Sequence, residues 1–205
     1  MKIIIISTCL MIFLTGKEIN AQSIINSGHD FSKRDWDTEG DACIVCHADK
    51  KSEYNTKANP YWNHYLSEES YKIYSSATLD AVVGQPDGVS KLCLSCHDGT
   101  VALDNYGGKK DGGIYISEKA NLDTDLRDDH PISFVYDKRL SKVDNGLYDP
   151  TTTESGLGDT IAEDMLHNQK LQCTSCHDVH NAMGVQAMLI KNNGVSGLCL
   201  TCHRK

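Results

Sequence analysis

Cys43-Ile44-Val45-Cys46-His47 decides how this chain is read, because its pattern returns three more times. It recurs as Cys93-Leu94-Ser95-Cys96-His97, as Cys173-Thr174-Ser175-Cys176-His177 and as Cys199-Leu200-Thr201-Cys202-His203. Cys-x-x-Cys-His is the attachment pattern of c-type haem. Two thiols three residues apart share about one helical turn, so both reach the vinyl groups of one porphyrin. The histidine that follows is carried under the ring, where its imidazole binds the iron. Four motifs predict four covalently attached haem c groups. Cys43, Cys46, Cys93, Cys96, Cys173, Cys176, Cys199 and Cys202 are the predicted attachment residues, and His47, His97, His177 and His203 the predicted proximal ligands.

Paired Cys-x-x-Cys also builds zinc sites, which gather four Cys or His around one ion. Zinc does not need a histidine directly after each second cysteine, whereas haem attachment does. A thioredoxin-like redox role fits neither the fourfold repeat nor the lack of a βαβ pattern. Haem is therefore the reading the motifs support.

The chain opens Met1-Lys2, runs apolar from Ile3 to Leu14 and turns polar before Ala21. One positive charge, a short apolar run and a small residue make a secretory signal peptide over 1–21, cleaved after Ala21. The run is too short for a membrane span and no other stretch is apolar enough to be one, so no membrane insertion is expected after cleavage. Removing 1–21 takes away Cys9, and the remaining eight cysteines are all used by the four motifs. None is left for a disulfide, although an exported chain would permit one. Export to the periplasm or the cell exterior also suits haem attachment.

The remaining 184 residues have the length of one ordinary domain. The whole chain holds only three Phe and two Trp. Such a chain builds a thin aliphatic core, and four porphyrins would supply the missing apolar bulk. The formal charge is −8. An acidic chain argues against nucleic acid or an anionic membrane as partner and suits a basic redox protein or an extracellular electron acceptor.

The stretch Asp87 to His97 matches Asn193 to His203 apart from Lys91 against Gly197, with Asp87/Asn193 and Ser95/Thr201 as near-equivalents. The predicted architecture is mostly irregular chain with short α-helices and a few short strands, organised around the four haems. It reads as two repeated two-haem units, 27–106 and 161–205, separated by a loop-rich insert over 107–160. Turns at Asp87-Gly88 and Asn193-Gly194 should each feed a short helix carrying a motif, with Ser90 or Ser196 as cap. Short strands are expected at 113–116 and 132–136, and a helix over 163–171.

An iron held by its motif histidine takes a sixth ligand or stays open for chemistry. Nine histidines less four leave His29, His64, His130, His167 and His180. His180 follows His177 by three residues, a spacing that can hand a second imidazole to a neighbouring haem. His130 precedes Pro131, which biases it towards extended backbone. His29, His64, His130 and His180 are the expected distal ligands, with His167 a further candidate, from the same chain or from a neighbouring one. Which imidazole pairs with which iron is open at this level. Asp123, Asp125, Asp128 and Asp129 have a spacing that could hold calcium, but Arg127 lies among them and no EF-hand loop is present. A solvated acidic loop is expected there. The tyrosines Tyr54, Tyr61, Tyr65, Tyr71 and Tyr74 are expected to pack on porphyrin edges and hydrogen-bond outwards.

The chain resembles the small exported multihaem cytochromes c with doubled Cys-x-x-Cys-His motifs. The resemblance is carried by 28–32, Trp62-Asn63-His64, 88–102, His130-Pro131-Ile132-Ser133-Phe134 and Cys173 to His180. It implies bis-histidine iron and electron transfer outside the cytoplasm. Some tetrahaem relatives of similar build polymerise into surface filaments, with one haem ligand donated by the next subunit. This chain departs from the family's pattern at Lys50, where a second histidine often follows the first motif; His64 or His167 would then substitute. The leading expectation is an electron carrier. The alternative is a multihaem reductase of a small oxyanion or nitrogen compound with one open iron. A third is a haem subunit docked to a separate catalytic partner.

Overall fold

Only one helix among the described residues exceeds two turns, and it is the helix that carries the second motif. The computed structural model describes residues 24–37, 39–48 and 61–204. The predicted signal peptide, Lys50 and Tyr54 lie outside the described residues. Helix α1 spans Gly88–His97 and buries Ser90, Leu92, Leu94 and Ser95. Gly88 enters it at φ +52, and a Cβ there would meet the Gln172 side chain at 3.1 Å. It ends at Gly99, whose φ of +74 is the left-handed conformation that glycine adopts freely at a helix C-terminus.

The other regular elements are short. β1 (Lys72–Ile73) pairs in parallel with β2 (Asp125–Leu126), and β3 (Phe134–Val135) pairs antiparallel with β4 (Lys170–Leu171). Helix α2 spans Leu140–Val143, α3 Ile161–Met165 and α4 Cys199–Cys202. Thr160 caps α3 by accepting a hydrogen bond from the Glu163 amide. Few, short helices and strands in a mostly irregular chain are what the sequence predicted.

Three local expectations are corrected. No strand forms over 113–116; Leu103 takes the Ile114 carbonyl in a loop pairing instead. The helix expected over 163–171 stops at Met165, and Leu166 is already extended. The chain then enters β4, because Leu171 is buried opposite Phe134. Ser90 does not cap α1; it sits inside the helix, and Asp87 occupies the cap position. Ser196 does not cap a motif helix either, since α4 begins after Leu198.

The core is small. Its main cluster gathers Phe134, Tyr136, Leu140, Leu147, Ile161, Met165, Leu171, Leu198 and the thiol-bearing Cys202. A second cluster holds only Tyr71, Leu94 and Leu126. The fourth motif is thus built into the larger core, and the second motif, through Leu94, into the smaller. The buried Tyr71 turns its hydroxyl inwards, donating to Asp98 at 2.6 Å.

α1 packs directly on the turn that opens the third motif. A buried polar knot fixes this joint. The Gln172 carbonyl oxygen accepts from the Ser90 hydroxyl, from the Ser90 amide at 3.3 Å and from the Ser133 hydroxyl at 3.1 Å. The Cys173 amide in turn donates to the Ser90 hydroxyl at 3.0 Å. The Gln172 amide nitrogen donates to Asp87 at 3.2 Å, and Lys170 forms an ion pair with the same carboxylate.

Candidate haem-binding sites

Each motif closes on itself. The amide of His47 donates to the Cys43 carbonyl at 2.8 Å, that of His177 to Cys173 at 3.0 Å and that of His203 to Cys199 at 3.0 Å. The second motif has the same bond type as the last turn of α1. One turn therefore brings both thiols together and sends the histidine out beyond them. All eight motif thiols are free.

The motifs follow one another in space as they do in sequence. Cys46 lies close enough to raise the pKa of Cys93 and Cys96 electrostatically. The Cys93 and Cys173 thiols are direct neighbours, which holds Cys173 below and Cys93 above the ordinary thiol range. Burial and the neighbouring Cys199 raise the pKa of Cys176. Burial pushes Cys46 and Cys202 up to about 11 and Cys96 up to about 12.

Three motif histidines face a second imidazole. The His29 and His97 ring centres are 5.9 Å apart with planes at 78°. His47 and His180 are 6.1 Å apart with planes at 9°, and His130 and His203 are 6.2 Å apart at 71°. A metal held between two imidazole nitrogens at about 2.0 Å each puts the ring centres roughly 6 Å apart, once about 1 Å from nitrogen to ring centre is added on both sides. The three spacings fit an iron between each pair.

Ring orientation supports the same use. His97 Nδ1 lies 2.8 Å from the Ala120 carbonyl, His177 Nδ1 3.0 Å from Ala187 and His130 Nδ1 2.9 Å from Pro131. A carbonyl only accepts, so the proton sits on Nδ1 and the Nε2 lone pair is left for a metal. His29 is half-buried, and desolvation together with the nearby His97, His177 and His180 lowers its pKa to about 4. It is held neutral, as a ligand must be.

The remaining histidines are placed differently. His64 is buried, and its ring nitrogens lie 3.8 and 4.0 Å from the Cys96 sulfur rather than against a motif imidazole. His167 closes a turn with Lys170 through paired backbone bonds. Neither His64 nor His167 faces the His177 ring among the described residues, so His177 is the motif histidine without a matching imidazole.

Several buried polar atoms have no hydrogen-bond partner among the described residues. Such atoms are rare in folded proteins and imply a missing partner. Here they include His29 Nδ1, Asp37 Oδ2 and Trp62 Nε1. The first belongs to one of the imidazole pairs, and Trp62 is the backbone-bridge partner of His47. Free thiols, facing imidazoles and unpaired polar atoms at the same places fit haem. The acidic stretch is otherwise engaged: Asp125 pairs with Arg127 and Lys72, which hold its carboxyl well below the usual range. Among the described residues no group of three or more His, Cys, Asp or Glu side chains is arranged to hold a metal ion by itself.

Two features escaped the sequence reading. The residues bridged to motif histidines are Trp62 for His47, Leu189 for His177 and Leu147 for His203, and nothing in their spacing marks them. The Gln172 knot had a signal. The residue before the first cysteine is Ala42, Leu92 and Leu198 in three motifs and a polar Gln172 in the other.

No helix among the described residues is long and apolar enough to cross a membrane. A comparison with curated proteins returned no match. Residues 167–205, the third and fourth motifs with their lead-in, match the family model of the doubled CXXCH motif, and this supports a multihaem c-type cytochrome with a role in electron transfer.

Proposed function

We propose that the chain is an exported tetrahaem cytochrome c that carries electrons between partner proteins or to an extracellular acceptor. The observation that carries this reading is the set of three imidazole pairs at 5.9, 6.1 and 6.2 Å. Haem bound at these sites supplies a one-electron iron couple. The protein's share would be to hold two imidazoles on each of three irons, so that coordination there is the same in both redox states and substrate does not reach those metals. On this reading His180 serves the iron of His47, His29 that of His97 and His130 that of His203. Two units, 27–106 and 161–205, would then share ligands, since His180 comes from the second and His47 from the first.

His177 gives a second reading its foothold. Its sixth ligand would come from His64 or His167 after a local shift, from an imidazole of a second copy in a polymer, or from substrate in a reductase. Carbon monoxide added to the reduced, haem-loaded protein separates these. Mass and haem absorbance should count four haems, and an unchanged Soret band would mean that every iron is six-coordinate. A single CO-binding haem that disappears as concentration rises would assign the ligand to a second copy. One that persists at all concentrations would put the reductase first, and fewer than four haems would overturn the tetrahaem reading.

A further inference from the structure

Three motif histidines are bridged antiparallel to another backbone: His47 to Trp62, His177 to Leu189 and His203 to Leu147. Directly opposed residues in an antiparallel pair present their side chains to the same face. Each bridging residue therefore stands beside a proximal imidazole. At the third and fourth motifs that neighbour is a leucine. At the first it is a tryptophan, whose Nε1–H is buried without a partner among the described residues. An indole nitrogen only donates, and a stranded buried donor is costly enough to call for an acceptor.

The backbone that carries Trp62 is held in place. Ala48 donates to the Tyr61 carbonyl at 2.7 Å, Asn63 to Cys46 at 3.0 Å and Gly107 to Asn63 at 3.0 Å. The Asn63 side chain also donates to the Ile44 carbonyl at 2.5 Å, inside the motif itself. The strap over 61–64 is thus fastened to the first motif on both sides of Trp62.

We propose that Trp62 Nε1–H donates a hydrogen bond to a carboxylate of the porphyrin held by Cys43, Cys46 and His47. The inference rests on the haem reading above. With the ring nitrogens on iron, the propionates are the strong acceptors a porphyrin offers, and a bond from N–H to a charged oxygen is about twice as strong as a neutral one. The donor offsets negative charge close to the iron and so favours its reduced state. Leu189 and Leu147 provide nothing comparable at their motifs. The competing acceptor is Asp37 Oδ2, a buried oxygen without a partner among the described residues. It is tied in through Tyr106, whose hydroxyl donates to Asp37 at 3.3 Å and whose backbone bridges to His64.

The test uses the reduced, haem-loaded protein labelled with nitrogen-15. Trp62→Phe identifies the indole resonance, and potentiometry follows the individual haem midpoints. The expected result is an indole N–H exchanging roughly a hundredfold slower than in an unfolded chain, with one midpoint moved negative in Trp62→Phe and the others unmoved. An N–H that exchanges freely overturns the proposal, and that measurement needs no variant to fold. A protected N–H with no midpoint shift also overturns it and assigns the bond to Asp37 through water. A haem count by mass keeps the two layers apart: no haem on the first motif defeats the underlying reading, whereas haem with an unbound indole defeats only this one.

Discussion

Replacing Gln172 with leucine removes the polar centre of the joint between the second and third motifs while keeping its volume. Gln172 is 2% exposed, so water does not replace the lost partner. The substitution strands the Ser90 hydroxyl and weakens the position of the Ser90 amide, both bonded to the Gln172 oxygen. The Ser133 hydroxyl keeps the Asp87 carbonyl as an acceptor at 3.4 Å, and the Asp87 carboxylate is half exposed and turns to solvent. One buried donor left unsatisfied costs about 1–3 kcal/mol, and leucine regains part of this by burying apolar surface. The expected destabilisation is about 2 kcal/mol, roughly a 30-fold change in the folding constant. Guanidinium unfolding of the haem-loaded protein, followed by far-ultraviolet circular dichroism, measures it. Ser90→Ala combined with Gln172→Leu should be less than additive by about 1–2 kcal/mol, because both remove the same bond. A loss below about 0.5 kcal/mol for Gln172→Leu, or strict additivity in the cycle, would refute the view that this knot holds the motifs together.

Other outcomes follow from single residues. His180→Ala should open one iron, raising CO binding to the reduced protein by one equivalent over the parent; an unchanged equivalence would remove His180 from the ligand set. Gly99→Ala should destabilise by about 1–2 kcal/mol in thermal unfolding, since φ is +74 and the new Cβ would lie 2.4 Å from the Asn121 amide. The Asn121 side chain can move, so the backbone conformation sets the lower bound; a neutral result would mean that Gly99 is not left-handed. His29 sets a pH dependence. Its folded pKa is pushed down to about 4 from 6.5, so between those values the unfolded chain binds the extra proton. Stability should be level above pH 6.5 and fall as pH drops towards 4, by about 1.5–2 kcal/mol between pH 7 and pH 5 for this group alone. Unfolding midpoints of the parent and of His29→Ala at the two pH values check this; an equal drop in both would clear His29 of the effect.

The chemistry was legible because haem attachment is local. Both thiols and the proximal imidazole lie within five residues, so the pattern and its turn need no tertiary information, and the thin core follows from composition. The conformation of the repeated lead-in was not legible. Asp87 to Ser90 enters a helix, whereas the near-identical Asn193 to Ser196 holds Val195 at φ +48 and Ser196 at φ +62, with Val195 96% exposed. The first copy has Gln172 to grip Ser90, while the Ser196 side chain makes no hydrogen bond among the described residues, so the same local propensities settle differently. Distal pairing was out of reach for the same reason. A count of histidines gives the number of candidates, but His180 meets His47, and His29 meets His97, only where the folded chain crosses itself. Spacing along a sequence carries no record of such crossings, because they are chosen by burial and polar satisfaction among residues far apart in the chain.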